Sequence, residues 1–356
     1  MMHHIKWITL CCLFLGLSAC GDTAERPSFD RSAMLDQLAE NHIRRHLELY
    51  QAAVLQFDQR VQSLIATPTE EQYLAVQEEW KALNRAWQAI NIFDIGPIAS
   101  QFLQHPLHRP PFDQELMDQF LASEDILDQE FVNKKMGSST TGMMALEYLI
   151  FTADQDPSIL EKKHQLTGLL SAKLKADSQT FDAAWQSYLP TFKTAAGYGI
   201  NSSLNQMVNA QISNMEFLIT AMVGNPLGKS NGGVAHAEAA YERYAHDDLM
   251  ALKSALLAHQ SLFDFSATEG NGLNSYLIFL NAIADNQPLG QVIDGQFNLV
   301  IQHIDGLDQP LHLAIEQSPE AVESLYQEMK VLLILLKVDL THHLSITSTF
   351  DDNDGD

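Results

Sequence analysis

The chain has 356 residues, of which 46% are hydrophobic and 19% are charged, with 21 basic against 45 acidic side chains. A formal net charge of −24 excludes a nucleic-acid partner and docking on anionic lipid through a basic surface, because both need a basic patch. The length favours two domains, since single cores seldom exceed about 250–300 residues, and the apolar fraction excludes a largely disordered chain.

The first predicted element is an export signal. A positively charged start precedes an apolar run over 7–17, which is too short to span a bilayer and has the size of a signal-peptide core. The tetrapeptide Leu-Ser-Ala-Cys at 17–20 follows, and it resembles a bacterial lipobox. We therefore expect residues 1–19 to be removed and Cys20 to carry the lipid. Because Gly21 and not an aspartate comes next, the expected location is the outer membrane, facing the periplasm. An ordinary secretory signal is the alternative.

The cysteine content bears on stability and on metal sites. Cys11 and Cys12 lie in the segment expected to be removed, so the mature chain has no cysteine beyond Cys20. It can form neither an internal disulfide nor a cysteine-type zinc site, and its stability must come from packing. Residues 20–29 are predicted to be a lipidated tether.

The rest of the chain is predicted to be helical almost throughout. Apolar residues recur at 4-3-4-3 spacing from Ile43 to Leu64, and a similar seam runs from Tyr73 to Ile90. Seams of this kind favour near-antiparallel bundle packing at about 20°. Further helices are predicted at about 113–132, 141–151, 157 into the 170s, 182–188, 202–223, 238–260, 273–285, 289–305 and 319–345.

These elements predict an all-α fold of two tandem four-helix-bundle-like domains. Residues 30–195 form the predicted N-terminal domain and residues 196–350 the C-terminal one, with the change of domain between 185 and 205 and an acidic tail at 351–356. Pro190 is expected to end the helix at 182–188, and the glycine-rich stretch 224–233 is the most linker-like part of the chain.

The densest group of candidate site residues lies at 142–151, which reads Gly-Met-Met-Ala-Leu-Glu-Tyr-Leu-Ile-Phe. It resembles the signature of the imelysin-like proteins, a glycine, any residue, a histidine, two residues and a glutamate, followed by tyrosine and apolar residues. Segments 80–97, 216–228 and 350–356 are similar to the family in the same order. The resemblance implies a two-domain helical protein exported to the bacterial periplasm or outer membrane. It also implies an association with iron uptake, in a family first described as a metallopeptidase.

The match to this signature is incomplete at one position. Gly142 and Glu147 match, but Met144 stands where the histidine is expected. Positions 144 and 147 share a helix face, so a His/Glu pair there would hold a cation, whereas a thioether suits neither zinc nor ferric iron. Without a metal, nothing in the signature activates water for attack. We therefore expect a protein that is not an enzyme, with Met144 packed in the core.

The other candidate residues can each be interpreted in more than one way. Glu147 stands inside an apolar run, and it is either paired structurally with a neighbouring helix or part of a ligand site. Glu238, Arg243 and Asp248 match family positions in the second domain, but Glu242 and Ala245 stand where the family usually has serines. For these residues, a solvated helix face is the alternative. The weaker metal candidates, His105 and His108, have H-x-x-H spacing in a proline-rich loop.

Three functional hypotheses follow. In the first, a non-enzymatic lipoprotein binds iron, another divalent cation or a metal chelate in the groove between the domains, where Glu147 meets Glu238, Arg243 and Asp248. In the second, the protein is an imelysin-type metallopeptidase, which needs His105 or His108 to replace the missing ligand. In the third, it is a scaffold that binds another protein of the envelope.

Overall fold

The computed structural model of the protein describes residues 28–263 and 272–349. The predicted signal peptide, the lipidation site at Cys20 and the acidic tail 351–356 lie outside the described residues, as does most of the predicted tether. In chain order, the α-helices of the described part are α1 (Arg31–Leu38), α2 (Arg45–Ala66), α3 (Glu70–Ile90), α4 (Pro97–Ser100), α5 (Gln114–Ala122), α6 (Gln129–Lys135), α7 (Gly142–Phe151), α8 (Pro157–Thr194), α9 (Ser203–Phe217), α10 (Asp248–Ser261), α11 (Leu273–Phe279), α12 (Leu289–Asp305), α13 (Leu311–Gln317), α14 (Pro319–Ile334) and α15 (Thr341–Leu344).

Short stretches of other regular structure accompany these helices. Turns of π-helix continue α1 into α2, extend α9 and join α14 to α15, at Ala39–Arg44, Leu218–Gly224 and Leu335–Leu340. A 3₁₀ turn covers Ala237–Ala239. Strands β1 (Ile283–Ala284) and β2 (Gln287–Pro288) form a small antiparallel hairpin.

In the N-terminal half, four helices close into a ring in which α2 packs against α3 and α8, and α7 packs against the same two helices. The two apolar seams predicted from the sequence are buried in this ring, where Tyr50 and Phe57 of α2 meet Trp80 and Trp87 of α3. Each of these aromatic side chains removes a large apolar area from water, and this burial stabilises the ring.

The C-terminal half contains a second ring of four. In it, α10 packs against α12, α12 against α14, and α14 against α9, while the π-turn after α9 contacts α10. Helix α3 also packs against α10, so the two rings share one hydrophobic core that extends from Met34 to Leu344. The chain passes from the first ring to the second between α8 and α9. The exact domain boundary stays a prediction.

The predicted end of a helix at Pro190 is wrong, because α8 runs unbroken from Pro157 to Thr194. Proline removes one backbone donor and crowds the preceding turn, at a cost of about 3 kcal/mol. Trp185, Leu189 and Phe192 are all buried around this position, and their packing offsets that penalty.

Two other helices are shorter than predicted. The predicted helix at 113–132 is interrupted after α5, and Asp128 restarts it as the N-cap of α6 by accepting a hydrogen bond from Phe131 N at 2.8 Å. The predicted helix at 273–285 ends at Phe279, and a hairpin follows. Its turn residues, Asp285 and Asn286, both have positive φ, as a two-residue hairpin turn requires. Helix α13 was not predicted from the sequence.

The predicted helix at 238–260 begins only at Asp248. Residues 240–247, here called the connector, are irregular because carboxylates take the backbone donors that a helix would use. Glu147 accepts from Tyr244 N and Ala245 N, and Asp248 accepts from Glu242 N. The connector thus exchanges helical hydrogen bonds for bonds to Glu147 of the first ring and to Asp248 at the start of α10.

Among the residues that the structure describes, none of the helices combines the length and the apolar character needed to cross a membrane.

Candidate functional site

Helix α7 is anchored at its first turn. Gly142 has a φ of +72°, and a Cβ at this position would lie 2.5 Å from the Leu107 carbonyl oxygen. Met143 N donates to that same oxygen at 2.8 Å, and Trp80 Nε1 donates to Met143 O at 3.1 Å. The glycine is therefore required by close backbone approach, and its role is to place Glu147 one and a half turns further on.

The carboxyl group of Glu147 is buried at the contact between α7 and the connector. Its Oε1 accepts hydrogen bonds from Tyr244 N at 3.0 Å and from Ala245 N at 2.9 Å. Burial raises the pKa of Glu147 to about 8, an effect that these two hydrogen bonds and Arg243 oppose and Asp248 strengthens. At neutral pH this carboxyl group is thus mostly protonated.

Two more buried carboxyl groups stand behind Glu147. Burial raises the pKa of Glu242 well above its ordinary value, and repulsion from Asp248 and Glu147 raises it further, while Asn84 lowers it. Burial also raises the pKa of Asp248, whose Oδ1 accepts from Glu242 N at 2.9 Å. We call Glu147, Glu242 and Asp248 the acid cluster. Three carboxyl groups in one apolar region are expected to hold protons, because each negative charge disfavours the next.

An ion pair ties the connector to the first ring. Arg85 of α3 donates from Nε to Asp247 Oδ2 at 2.9 Å and makes a second contact with Oδ1. Asp247 is only 5% exposed, and burial raises its pKa while Arg85 lowers it. This bidentate pair joins two residues that lie 162 positions apart in the chain.

Beside the acid cluster lies a cavity of about 360 Å³, here called the Arg243 cavity. Four predicted site residues line it together: Met144, Glu147, Glu238 and Arg243. Arg243 donates to Gln114 Oε1 and to the Tyr244 hydroxyl group. Met144 is thus partly exposed at the cavity wall and is not a core side chain, contrary to the expectation from the sequence.

The other candidates lie elsewhere. Asp248 belongs to the acid cluster and does not line the Arg243 cavity, and Gly142 serves the backbone of α7. His105 and His108 line a second cavity of about 620 Å³, here called the Asp94 cavity.

The two cavities share a wall formed by Phe217 and Tyr241, whose rings pack edge to face at 5.3 Å. His108 is buried between Trp87 and Tyr241, and its Nδ1 is hydrogen-bonded to the Tyr241 hydroxyl group at 3.1 Å. Burial lowers the pKa of His108 to about 4, so the ring is neutral at pH 7. This histidine holds the shared wall in position.

Within residues 28–263 and 272–349, no three histidine, cysteine, aspartate or glutamate side chains are grouped so that they could hold a metal ion. Several polar residues of the site were not found from the sequence, namely Asn84, Arg85, Asp94, Tyr241 and Asp247. Arg85 could not be recognised from the spacing of nearby residues, because its partner Asp247 belongs to the other half of the chain. Tyr241 and Asp247 stood in the segment that holds the candidates Glu238, Arg243 and Asp248, but they were not among the predicted site residues.

Comparison with known proteins gives a consistent result. The family described as imelysin matches residues 43–335, while no curated protein matches the chain. An imelysin-like protein from Psychrobacter arcticum 273-4 has a TM-score of 0.76 at 15% identity, over 91% of this chain and all of the other. A protein from Parabacteroides distasonis ATCC 8503, named as an iron-regulated protein A precursor, has a TM-score of 0.73 at 15% identity, over 90% and 96%. These structures confirm the predicted all-α fold.

Proposed function

Because the chain belongs to the imelysin family, we propose that it is a non-enzymatic lipoprotein of the bacterial envelope that binds a metal-containing ligand in the Arg243 cavity. The metal is iron or another divalent cation, and the ligand is an anionic chelate. The name of the structural relative from Parabacteroides distasonis supports the choice of iron. The lipobox-like sequence ending at Cys20 supports an anchor in the outer membrane.

The charge of the cavity wall is the observation that carries the proposal. Glu147, with a pKa of about 8, is mostly neutral at pH 7 and is a weak ligand for a bare cation. Arg243 places a fixed positive charge on the same wall, and its planar guanidinium group suits carboxylate or phosphate groups. A chelate that brings its own metal ligands and presents anionic groups satisfies both features.

The volume and lining of the cavity agree with this ligand class. A volume of about 360 Å³ falls in the range of about 300–1,000 Å³ that is typical of sites for small molecules. The hydroxyl group of Tyr244 and the carboxyl group of Glu147 supply hydrogen-bonding groups beside Arg243. Hydrolysis has less support, since Met144 offers a thioether at the position where the family signature has an imidazole.

Titration calorimetry with ferric citrate tests the proposal. We expect wild-type protein to bind the chelate and Arg243→Gln to bind at least about tenfold more weakly, because a charge-assisted hydrogen bond is worth about 1.5–3 kcal/mol. Arg60→Gln removes the same charge from an exposed pair with Glu79 on the surface of the first ring and serves as the control. Equal binding by both variants, or binding of free Fe²⁺ and Zn²⁺ without binding of the chelate, would contradict the proposal.

A further inference from the structure

The Asp94 cavity contains a carboxylate without a partner. Asp94 follows α3 and lines this cavity, where its side chain is exposed to the cavity interior. No hydrogen bond or ion pair joins its carboxylate to another residue in the described part of the chain. Burial by the surrounding walls raises its pKa, and no neighbouring cation counteracts that effect. A carboxylate that has lost part of its hydration without gaining a partner is available for a ligand.

Some of the other polar groups on the cavity wall are already engaged within the protein. Gln206 Oε1 accepts from the Tyr188 hydroxyl group at 3.2 Å, and Asn209 Oδ1 accepts from Thr349 N at 2.9 Å. Arg109 donates to Ser138 Oγ at 3.3 Å from an exposed position. Asp94 therefore keeps its full capacity to accept hydrogen bonds, whereas the side-chain oxygens of Gln206 and Asn209 each already accept one.

The cavity also lacks a charged histidine that could neutralise Asp94. Burial lowers the pKa of both His105 and His108, and the nearby Arg109 lowers that of His105 further. Neither imidazole group therefore neutralises the carboxylate of Asp94. The guanidinium group of Arg109 lines the same cavity, but it donates to Ser138 and forms no ion pair with Asp94 in the described part of the chain, so the carboxylate is left open to the cationic group of a ligand.

We propose that the Asp94 cavity is a second binding site, which takes an organic amine with a primary ammonium group on an aliphatic body. The ammonium group donates hydrogen bonds to the Asp94 carboxylate, and the aliphatic body packs against Ile95, Ala99, Ile200 and Phe217, which line the same cavity. The volume of about 620 Å³ is large enough for a small molecule rather than a single ion. This site is independent of the Arg243 cavity, because Phe217 and Tyr241 separate the two.

Titration calorimetry at neutral pH with three probes of equal length tests the inference: hexylamine, 1-hexanol and hexanoate. We expect hexylamine to bind at least about tenfold more tightly than 1-hexanol, and hexanoate to bind no more tightly than 1-hexanol, because only the ammonium group pairs with a carboxylate. Asp94→Asn preserves the shape of the side chain and should reduce hexylamine binding to the level of 1-hexanol.

Asp125→Asn is the matched control, since Asp125 is exposed on a loop and lines neither cavity. It changes the net charge by the same amount and should leave hexylamine binding unaltered. Thermal unfolding of both variants confirms that they fold, and ferric citrate titrations report separately on the Arg243 cavity. Tighter binding of hexanoate, equal binding of hexylamine by both variants, or Asp94-dependent binding of Zn²⁺ or Ca²⁺ without the amine would overturn the inference.

Discussion

Replacement of Glu147 by glutamine is the sharpest test of the electrostatics at this site. The carboxyl group is 3% exposed, and burial raises its pKa from 4.5 to about 8. A raised pKa in the folded state means that the folded chain binds a proton more tightly than the unfolded chain does. The stability associated with this proton is fully present below about pH 4.5 and is lost progressively as the pH rises towards 8.

The size of the effect follows from the shift. One pKa unit corresponds to about 1.4 kcal/mol, so ionisation of Glu147 lowers the free energy of unfolding by up to about 5 kcal/mol above pH 8. Glutamine is neutral at every pH and keeps a carbonyl oxygen for Tyr244 N and Ala245 N. We therefore expect Glu147→Gln to match wild type within about 1 kcal/mol near pH 5 and to be more stable by several kcal/mol near pH 9.

Urea unfolding at both pH values measures this difference, and subtracting wild type from variant cancels the common titration of other groups. Glu147→Ala is the control: it is neutral like Glu147→Gln but leaves the Tyr244 and Ala245 donors without an acceptor, so it should be less stable than Glu147→Gln by about 1–3 kcal/mol at either pH. If Glu147→Gln were less stable than wild type near pH 9, the ionised carboxylate would be the stabilising form. The assignment of a neutral Glu147 would then be wrong.

Further predictions concern how the site is held. Arg85→Gln should lower the free energy of unfolding by about 1–3 kcal/mol, because it leaves Asp247 buried without its partner. Adding Asp247→Asn should recover part of that loss, and a double-mutant cycle measured by urea unfolding checks this. Gly142→Ala should lower the free energy of unfolding by more than about 2 kcal/mol, because φ is positive there and the new Cβ would clash with the backbone of Leu107. Gly137 has open space around it, so the free energy of unfolding of Gly137→Ala should lie within about 0.5 kcal/mol of the wild-type value. Equal effects of the two alanine substitutions would contradict this account.

The sequence supported the helical architecture because periodicity is a local signal. The seams from Ile43 to Leu64 and from Tyr73 to Ile90 became buried faces of α2 and α3, and the helices at 289–305 and 319–345 occur where they were predicted, the latter with a π-turn. The failures arose where distant contacts override local preference. Packing carries α8 through Pro190, and carboxylates from other segments remove the backbone donors that a helix at 240–247 needs.

The candidate site was predictable in part for the same reason. Glu147 stood out because a carboxylate inside an apolar run needs a partner, and the partners proved to be two backbone amide groups of the connector. The local spacing of residues in the sequence indicates neither these two amide groups nor the ion pair between Arg85 and Asp247. Asp94 carried no signal either, because an isolated aspartate after a helix is ordinary until the fold surrounds it with a cavity.

Two of the three departures from the family pattern, Met144 and Glu242, lie close to the Arg243 cavity. Met144 stands where the signature has a histidine, and Glu242 stands where a serine is usual, and the first lines the Arg243 cavity while the second lies in the acid cluster behind it. An imidazole ligand would act together with an ionised Glu147, whereas burial and the nearby Asp248 raise the pKa of Glu147 and keep it protonated. The thioether of Met144 and the raised pKa of Glu147 therefore act in the same direction, since both weaken a site for a bare cation, and an anionic group of a ligand has the guanidinium group of Arg243 as its partner on the cavity wall.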